Sequence, residues 1–322
     1  MKLTGSVGRT GAMNNKADVK RVQALLNAAL MPAHATATLP TSASSLGNIP
    51  PFAELKEDGS IGPRTVAAIA FFQKNVVGTK KPDGVVSTTG KTLECLEKPP
   101  AGLNIASILA GATALPKAGS GAALGEIDFA QTAKDLGIEV ATIKAVAQVE
   151  SAGASFIDDG RPVIRFEAHW FSSLTGHFYD GVFPTLSVKK RDDSLVQGGA
   201  AGLRREFDRL RDAMALDRES ALSSASWGMF QIMGFNSIPA GFNSVDAMVN
   251  AMFKTEAEHL RAFASFISKK GYVPYLKDKQ WANFAYHYNG EDYGSYDVLL
   301  ERAYAAICKA ISASAAAKKV SP

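Results

Sequence analysis

The chain has 322 residues, of which 46% are hydrophobic and 20% charged, with a formal net charge of +4 and a mean hydropathy of −0.01. That length accommodates two domains, each with its own core, and the composition excludes a disordered or collagen-like chain. No segment reaches the roughly 18 to 20 unbroken apolar residues of a membrane-spanning helix, so no stable membrane insertion is expected.

Charge is unevenly spread: residues 1–98 carry 12 Lys and Arg against 7 Asp and Glu, whereas residues 123–322 carry 22 against 24. A basic front half favours an acidic partner, but no Arg-rich helix or basic–aromatic alternation points to nucleic acid. Behind Lys2 there is no apolar run, so no secretory signal is visible and synthesis in the cytoplasm is expected. Cys95 and Cys308 form no CxxC pair, fit a reducing compartment, and read as buried small hydrophobes.

In chain order, Val22, Leu25, Leu26 and Ala29 fall at helical spacing and predict a first helix. The stretch from Pro32 to Pro51 is polar, Pro-rich and aperiodic, which predicts an inserted loop. His34 lies within it and is read as a surface residue rather than a metal ligand. A near-repeat follows: Asp58-Gly-Ser-Ile-Gly and Asp83-Gly-Val-Val-Ser each combine a tight Asp-Gly turn, an aliphatic plug and a helix start. Pro63 suits the first helical position of the second helix, which Val66, Ile69, Ala70 and Phe72 continue, and Ser87 or Thr88 is the expected cap of the third. Residues 98–122 are rich in Ala, Gly, Pro and Ser and predict a linker. Its apolar part, Leu103 to Leu115, suits a linker or a short buried helix.

These residues carry a resemblance. Val19-Lys-Arg-Val-Gln-Ala-Leu-Leu followed by Asp58 through Gln73 resembles the small three-helix peptidoglycan-binding domain of bacterial and phage cell-wall enzymes, over residues 5–97. The loop at 32–51 departs from that pattern. The resemblance implies a wall-polymer ligand rich in free carboxylates, which the basic balance suits.

Beyond the linker the pattern is mostly helical: Ala130 to Leu136 with Val140 to Glu150, a long helix from Ser244 to Ile267, and a closing pair, Trp281 to Tyr288 and Tyr293 to Ile311. Pro162 to Phe171 reads as β-rich, with Ile164, Phe166, Ala168 and Trp170 on one face and Arg165, Glu167 and His169 on the other. The charged run 205–212, which includes Arg205, Asp208, Arg209, Arg211 and Asp212, reads as a solvated helix face.

One carboxylate is out of place. Ile143, Val146 and Ala147 precede Glu150 by seven, four and three residues, so an apolar stripe ends in an acid. Glu150 is either a charge at a fraying helix end capped by Gly153, or a general acid whose pKa is raised by apolar neighbours and the helix dipole. Glu167 is the leading second carboxylate, with a salt bridge to Arg165 as its alternative role; Asp158 and Asp159 lie in the intervening loop. His169, His177, His259 and His287 lack metal-ligand spacing, and no metal or cofactor is expected. Trp170 and Trp227 suit either sugar stacking or a core.

The order Glu150-Ser, Ser226-Trp-Gly-Met-Phe-Gln-Ile, Tyr288-Asn-Gly looks like the three signatures of the lysozyme-like superfamily that includes lytic transglycosylases. Ser226 to Gly234 by itself reads as a helix start. With Gly160-Arg-Pro-Val-Ile-Arg-Phe-Glu-Ala-His-Trp-Phe between the first two, residues 123–313 resemble the phage N-acetylmuramidase family. What this resemblance implies is a mainly α fold: a small three-helix binding domain plus a larger lysozyme-like α domain with a small β element. Glu150 would be the proton donor, and Ser226, Gln231, Tyr288, Asn289 and His169 would contact saccharide or support the acid. The implied protein is a monomeric endolysin acting on bacterial peptidoglycan, held in the host cytoplasm until a holin-type factor opens the way to the periplasm and wall. A lytic transglycosylase and a non-catalytic wall-binding protein remain alternatives.

Overall fold

The computed structural model describes residues 2–31, 52–150, 155–195 and 199–320, the last seven of these as backbone only. The expected Pro32–Pro51 loop with His34, and the expected Gly153 cap, lie outside the described residues. The fold is mainly helical, with thirteen α-helices and two small sheets among the described residues. None of the described helices is long and apolar enough to cross a membrane. The chain divides into two compact units, positions 1–115 with 166–225 and positions 116–165 with 226–322.

The first unit opens with β1 (Val7–Gly8), α1 (Lys16–Leu30), α2 (Pro63–Phe72), a π-helical turn (Gln73–Val77), β2 (Val85–Val86) and α3 (Lys91–Glu97). In α1 Val19, Val22, Leu26 and Ala29 are buried and Leu25 is half-buried, whereas in α2 the whole run Ala67 to Phe72 is buried and Val66 only partly so; Pro63 opens α2. The near-repeat has a physical basis. Gly59 donates its N–H to Gln23 Oε1 at 3.0 Å, and Gln23 Nε2 reaches Ser60 O and Thr65 Oγ1. Twenty-five positions on, Gly84 donates to Gln73 Oε1 at 2.9 Å, and Gln73 Nε2 reaches Val85 O and Thr92 Oγ1. Each glutamine thus clamps one Asp-Gly turn, whose Asp accepts from the backbone N–H two residues on. α3 starts after Gly90, not at Ser87 or Thr88; Gly90 has φ +130°, a conformation that glycine alone adopts readily.

Within the expected linker, Ile105–Thr113 forms α4, whose Ile105 and Leu109 are buried. The same unit contains α7 (Ala168–Leu174) and α8 (Gly199–Ser223), and both α4 and α7 pack on α8. Arg218 caps α4 by donating to Ala112 O and Ala114 O, each at 2.7 Å. The charged run is not a fully solvated face: Glu206, Arg209 and Asp212 are buried. Arg209 bonds Glu206 at 2.9 Å and three backbone carbonyls, while Glu206 accepts from Phe166 N at 2.7 Å, so the buried charges are paired and hydrogen-bonded. α8 is broken at Asp217, whose φ of −154° is not helical; its carboxylate accepts from Ser220 N and restarts the helix as a cap.

The second unit contains α5 (Glu126–Leu136), α6 (Val140–Glu150), α9 (Val245–Met252), α10 (Glu256–Lys269), α11 (Val273–Lys277), α12 (Trp281–Asn289) and α13 (Tyr296–Val320). α6 packs against α5 and α13, and α12 against α13. The long helix expected over Ser244 to Ile267 is two helices, because Thr255 breaks it and caps α10 through Glu258 N. Strands β3 (Ile164–Phe166), β4 (Ala225–Trp227) and β5 (Ile232–Met233) make a sheet in that order, with Ser226 opposite Met233. The expected strand beyond Phe166 is α7 instead. Ala168, Phe171 and Ser172 are its buried positions, a helical spacing that the apolar Ala168 and Trp170 had disguised as alternation.

Candidate active site

The stripe on α6 is buried at Ile143, Val146 and Ala147, and the partly exposed Glu150 is its last residue. α13 begins where α6 ends. Tyr296, its first residue, donates its hydroxyl hydrogen to Glu150 Oε1. The ring of Tyr296 stacks on that of Tyr288 at 6.5 Å, and Tyr288 stacks on Phe284 at 5.2 Å. Glu150 thus sits against an aromatic wall. Burial raises its pKa to about 7, against the opposing effect of the Tyr296 hydrogen bond. Burial and the nearby carboxylate also push both tyrosines well up, so each remains a neutral donor.

The segment containing Ser226 and Gln231 is a β-hairpin rather than a helix start. Gly228 and Gln231 take φ of +69° and +46°, left-handed values that turn the chain between β4 and β5. Ser226 Oγ donates to Gln231 Oε1 at 2.7 Å, and Gln231 Nε2 donates to Gly228 O at 2.8 Å. Both side chains therefore brace the hairpin. Tyr288 ties the hairpin to the acid's surroundings, because its hydroxyl donates to Phe230 O at 2.8 Å.

His259 seats the hairpin from below. It is buried, accepts from Met229 N at Nδ1 (3.1 Å) and donates from Nε2 to Met252 O (2.7 Å). A backbone N–H only donates and a carbonyl only accepts, so the ring is the neutral Nε2–H tautomer. Burial lowers its pKa.

Of the residues expected at the site, Glu150, Ser226, Gln231, Tyr288 and Asn289 all belong to the second unit. Asn289 is exposed at the end of α12. Glu167 and His169 belong to the first unit, where Glu167 precedes α7 and its Oε2 lies 3.5 Å from His169 Nδ1. Trp227 is wholly buried, whereas Trp170 is 40% exposed. Cys95 and Cys308 are unpaired thiols, partly rather than fully buried. Among the described residues no cluster of three or more His, Cys, Asp or Glu is arranged to hold a metal.

Sequence reasoning missed Tyr296 and His259. Tyr296 is 146 residues from its partner, and no local motif marks it; the closing helix, expected from Tyr293, begins at Tyr296 itself. His259 has no sequence signal for its seat under the hairpin, because Met229 and Met252, its backbone partners, lie 30 and 7 residues away.

The mainly helical fold with small antiparallel sheets is consistent with a lysozyme-like α domain. A sequence model of the N-acetylmuramidase family matches residues 139–308, just over half of the chain, and the protein belongs to that family. It is also similar to an endolysin of the Burkholderia phage AP3, whose crystal structure aligns over 92% of this chain and 96% of that one, with 33% identity and a TM-score of 0.53. No curated protein matches the chain. The chain thus has a muramidase domain, and a muramidase acts on peptidoglycan.

Proposed function

We propose that the protein is an endolysin that hydrolyses the β-1,4 bond between N-acetylmuramic acid and N-acetylglucosamine, with Glu150 as proton donor. The observation that carries this reading is the setting of Glu150, a carboxyl held by Tyr296 against the Tyr288 and Phe284 rings, where burial raises its pKa to about 7. Such an acid can protonate the glycosidic oxygen as the bond breaks. Tyr296 then steadies the carboxylate left behind, because its hydrogen bond is stronger to the anion than to the acid. Ser226 and Gln231 hold the hairpin, and Tyr288 fixes it beside the acid. Asn289 and His169 are read as saccharide contacts, and Glu167 as the second carboxylate.

The role in host lysis, with release to the wall through a membrane lesion made by another factor, rests on the likeness to the AP3 phage endolysin. Residues 5–97 are read as a peptidoglycan-binding module, supported by the twin glutamine clamps and the basic balance. Clearing of purified cell walls tests the catalytic reading: wild-type protein lowers turbidity, and Glu150→Gln does not. Equal clearing by both would remove Glu150 from the mechanism.

A second reading is a lytic transglycosylase. It is favoured by one observation, that the polar group bonded to Glu150 is a phenol and not another carboxylate. Mass spectrometry of released muropeptides separates the two, since reducing ends require hydrolysis and 1,6-anhydro ends require transglycosylation.

A further inference from the structure

The first unit contains a cleft that the glycosidase chemistry does not use. One wall is formed by Arg9, Lys80 and Lys81, the other by Ser173 and Leu174, and it encloses about 320 Å³. A second chamber of about 480 Å³ opens beside it, lined by Arg9 and Phe178 as well and adding His177 and Lys189.

The ridge shared by the chambers is firmly built. Arg9 donates its backbone N–H to Gly84 O at 3.2 Å, and its guanidinium lies 5.4 Å from the centroid of the Phe178 ring. Phe178 rests on Gly84 so closely that a Cβ there would stand 2.5 Å from Cε1 of the ring. Thus the second Asp-Gly turn of the repeat is the seat for an aromatic side chain from beyond residue 166. The walls are also locked at depth: Lys74 Nζ lies 3.2 Å from the buried Asp217 Oδ2, and Asn75 donates to Leu216 O at 2.9 Å.

Charge decides what such a cleft takes. Among the described residues lining the first chamber Asp217 is the one carboxylate, and Lys74 already neutralises it. Arg9, Lys80 and Lys81 are exposed and leave the rim cationic. Pro82, Leu174 and Phe178 add an apolar surface, and Ser173 a hydroxyl. Cations over an apolar floor suit a short peptide bearing carboxylates better than a bare inorganic anion.

We propose that this cleft binds the carboxylate-bearing peptide stems of the wall polymer, so that the protein recognises peptide as well as glycan. The inference rests on the peptidoglycan reading above and extends it to a second ligand chemistry. The site is composite: the N-terminal three-helix segment supplies the cations, and residues 173–178 supply the opposing wall.

The test uses full-length Glu150→Gln protein, which leaves the polymer intact, and two preparations of sacculi, untreated and stripped of peptides by an amidase. Pelleting is expected to be at least about tenfold tighter on untreated sacculi. Lys80→Glu with Lys81→Glu, and separately Leu174→Glu on the opposite wall, are expected to remove that preference, with the charge-reversed protein's deficit shrinking as salt rises. Stem peptides released by the amidase should compete, and DNA of equal charge should not. Equal pelleting on both preparations, an unchanged preference in both variants, or equal competition by DNA would overturn the proposal. Cleavage of the stripped glycan by wild-type protein reports separately on the glycosidase reading: cleavage without peptide preference defeats only the cleft, and no cleavage of either polymer defeats the catalytic reading.

Discussion

Tyr296, the first residue of α13, hydrogen-bonds Glu150, the last residue of α6. The bond favours the carboxylate while burial favours the acid, and burial wins. Removing the phenol oxygen therefore raises the Glu150 pKa further. In Tyr296→Phe the alkaline limb of the kcat/KM profile is expected to move to higher pH, and the rate at its optimum to fall about tenfold as the carboxyl loses its fixed orientation. Initial rates on solubilised glycan from pH 4 to 10 measure both. A limb that stays in place would separate Tyr296 from the titration of the acid.

The same balance makes stability depend on pH. Glu150 titrates at about 7 in the folded state against an ordinary 4.5, so the native protein binds a proton that the unfolded chain has released. Its stability contribution is complete below pH 4.5 and is lost as pH rises through 7. Glu150→Gln never ionises. It is expected to match wild type near pH 4 and to exceed it above pH 8 by about 3 kcal/mol, read from thermal unfolding across that range.

The twin clamps predict equivalent losses from distant substitutions. Gln23→Ala strands the N–H of Gly59, and Gln73→Ala strands those of Asp83 and Gly84. Each is expected to cost about 2 to 3 kcal/mol, visible as a lower urea midpoint. Gln73→Glu should cost more than Gln73→Ala, because Gln73 Nε2 donates to Asp83 Oδ1 at 2.7 Å and a glutamate would set two carboxylates together.

Gly228 links the hairpin to its support. It has φ +69°, and a Cβ there would lie 2.8 Å from His259 Nδ1. Gly228→Ala is expected to destabilise by roughly 2 to 4 kcal/mol, combining left-handed strain with overpacking. Turnover should fall with it, because Phe230 of the same hairpin accepts the Tyr288 hydrogen bond. Calorimetry and turbidity assays on one preparation check the pair.

Much of this was legible where the signal is local. The stripe ending in Glu150, Pro63 at the start of α2 and the paired Asp-Gly turns all rest on spacing within a few residues, which the structure reproduces. Reading failed where two periods coincide over a short run, as at Ala168 to Trp170, or where one residue interrupts a long pattern, as Thr255 does. It failed also where distant groups receive a charge. Arg209 is buried because the carbonyls of Phe166, Thr185 and Leu195 surround its pair with Glu206, and nothing in the run 205–212 announces those carbonyls. Tyr296 was missed for the same reason, its role being fixed by a partner half a chain away.

The first unit draws on positions 1–115 and 166–225, and this imposes an order on synthesis. As the ribosome delivers α1 to α4, the helix that will receive α4 is still about a hundred codons from being made. Those early helices must wait with part of their apolar surface exposed, and a growing chain becomes a finished unit only after β4 has begun to emerge. Nascent chains are therefore expected to gain protease resistance in the first unit only once α8 has emerged, which limited proteolysis of stalled chains of increasing length would read.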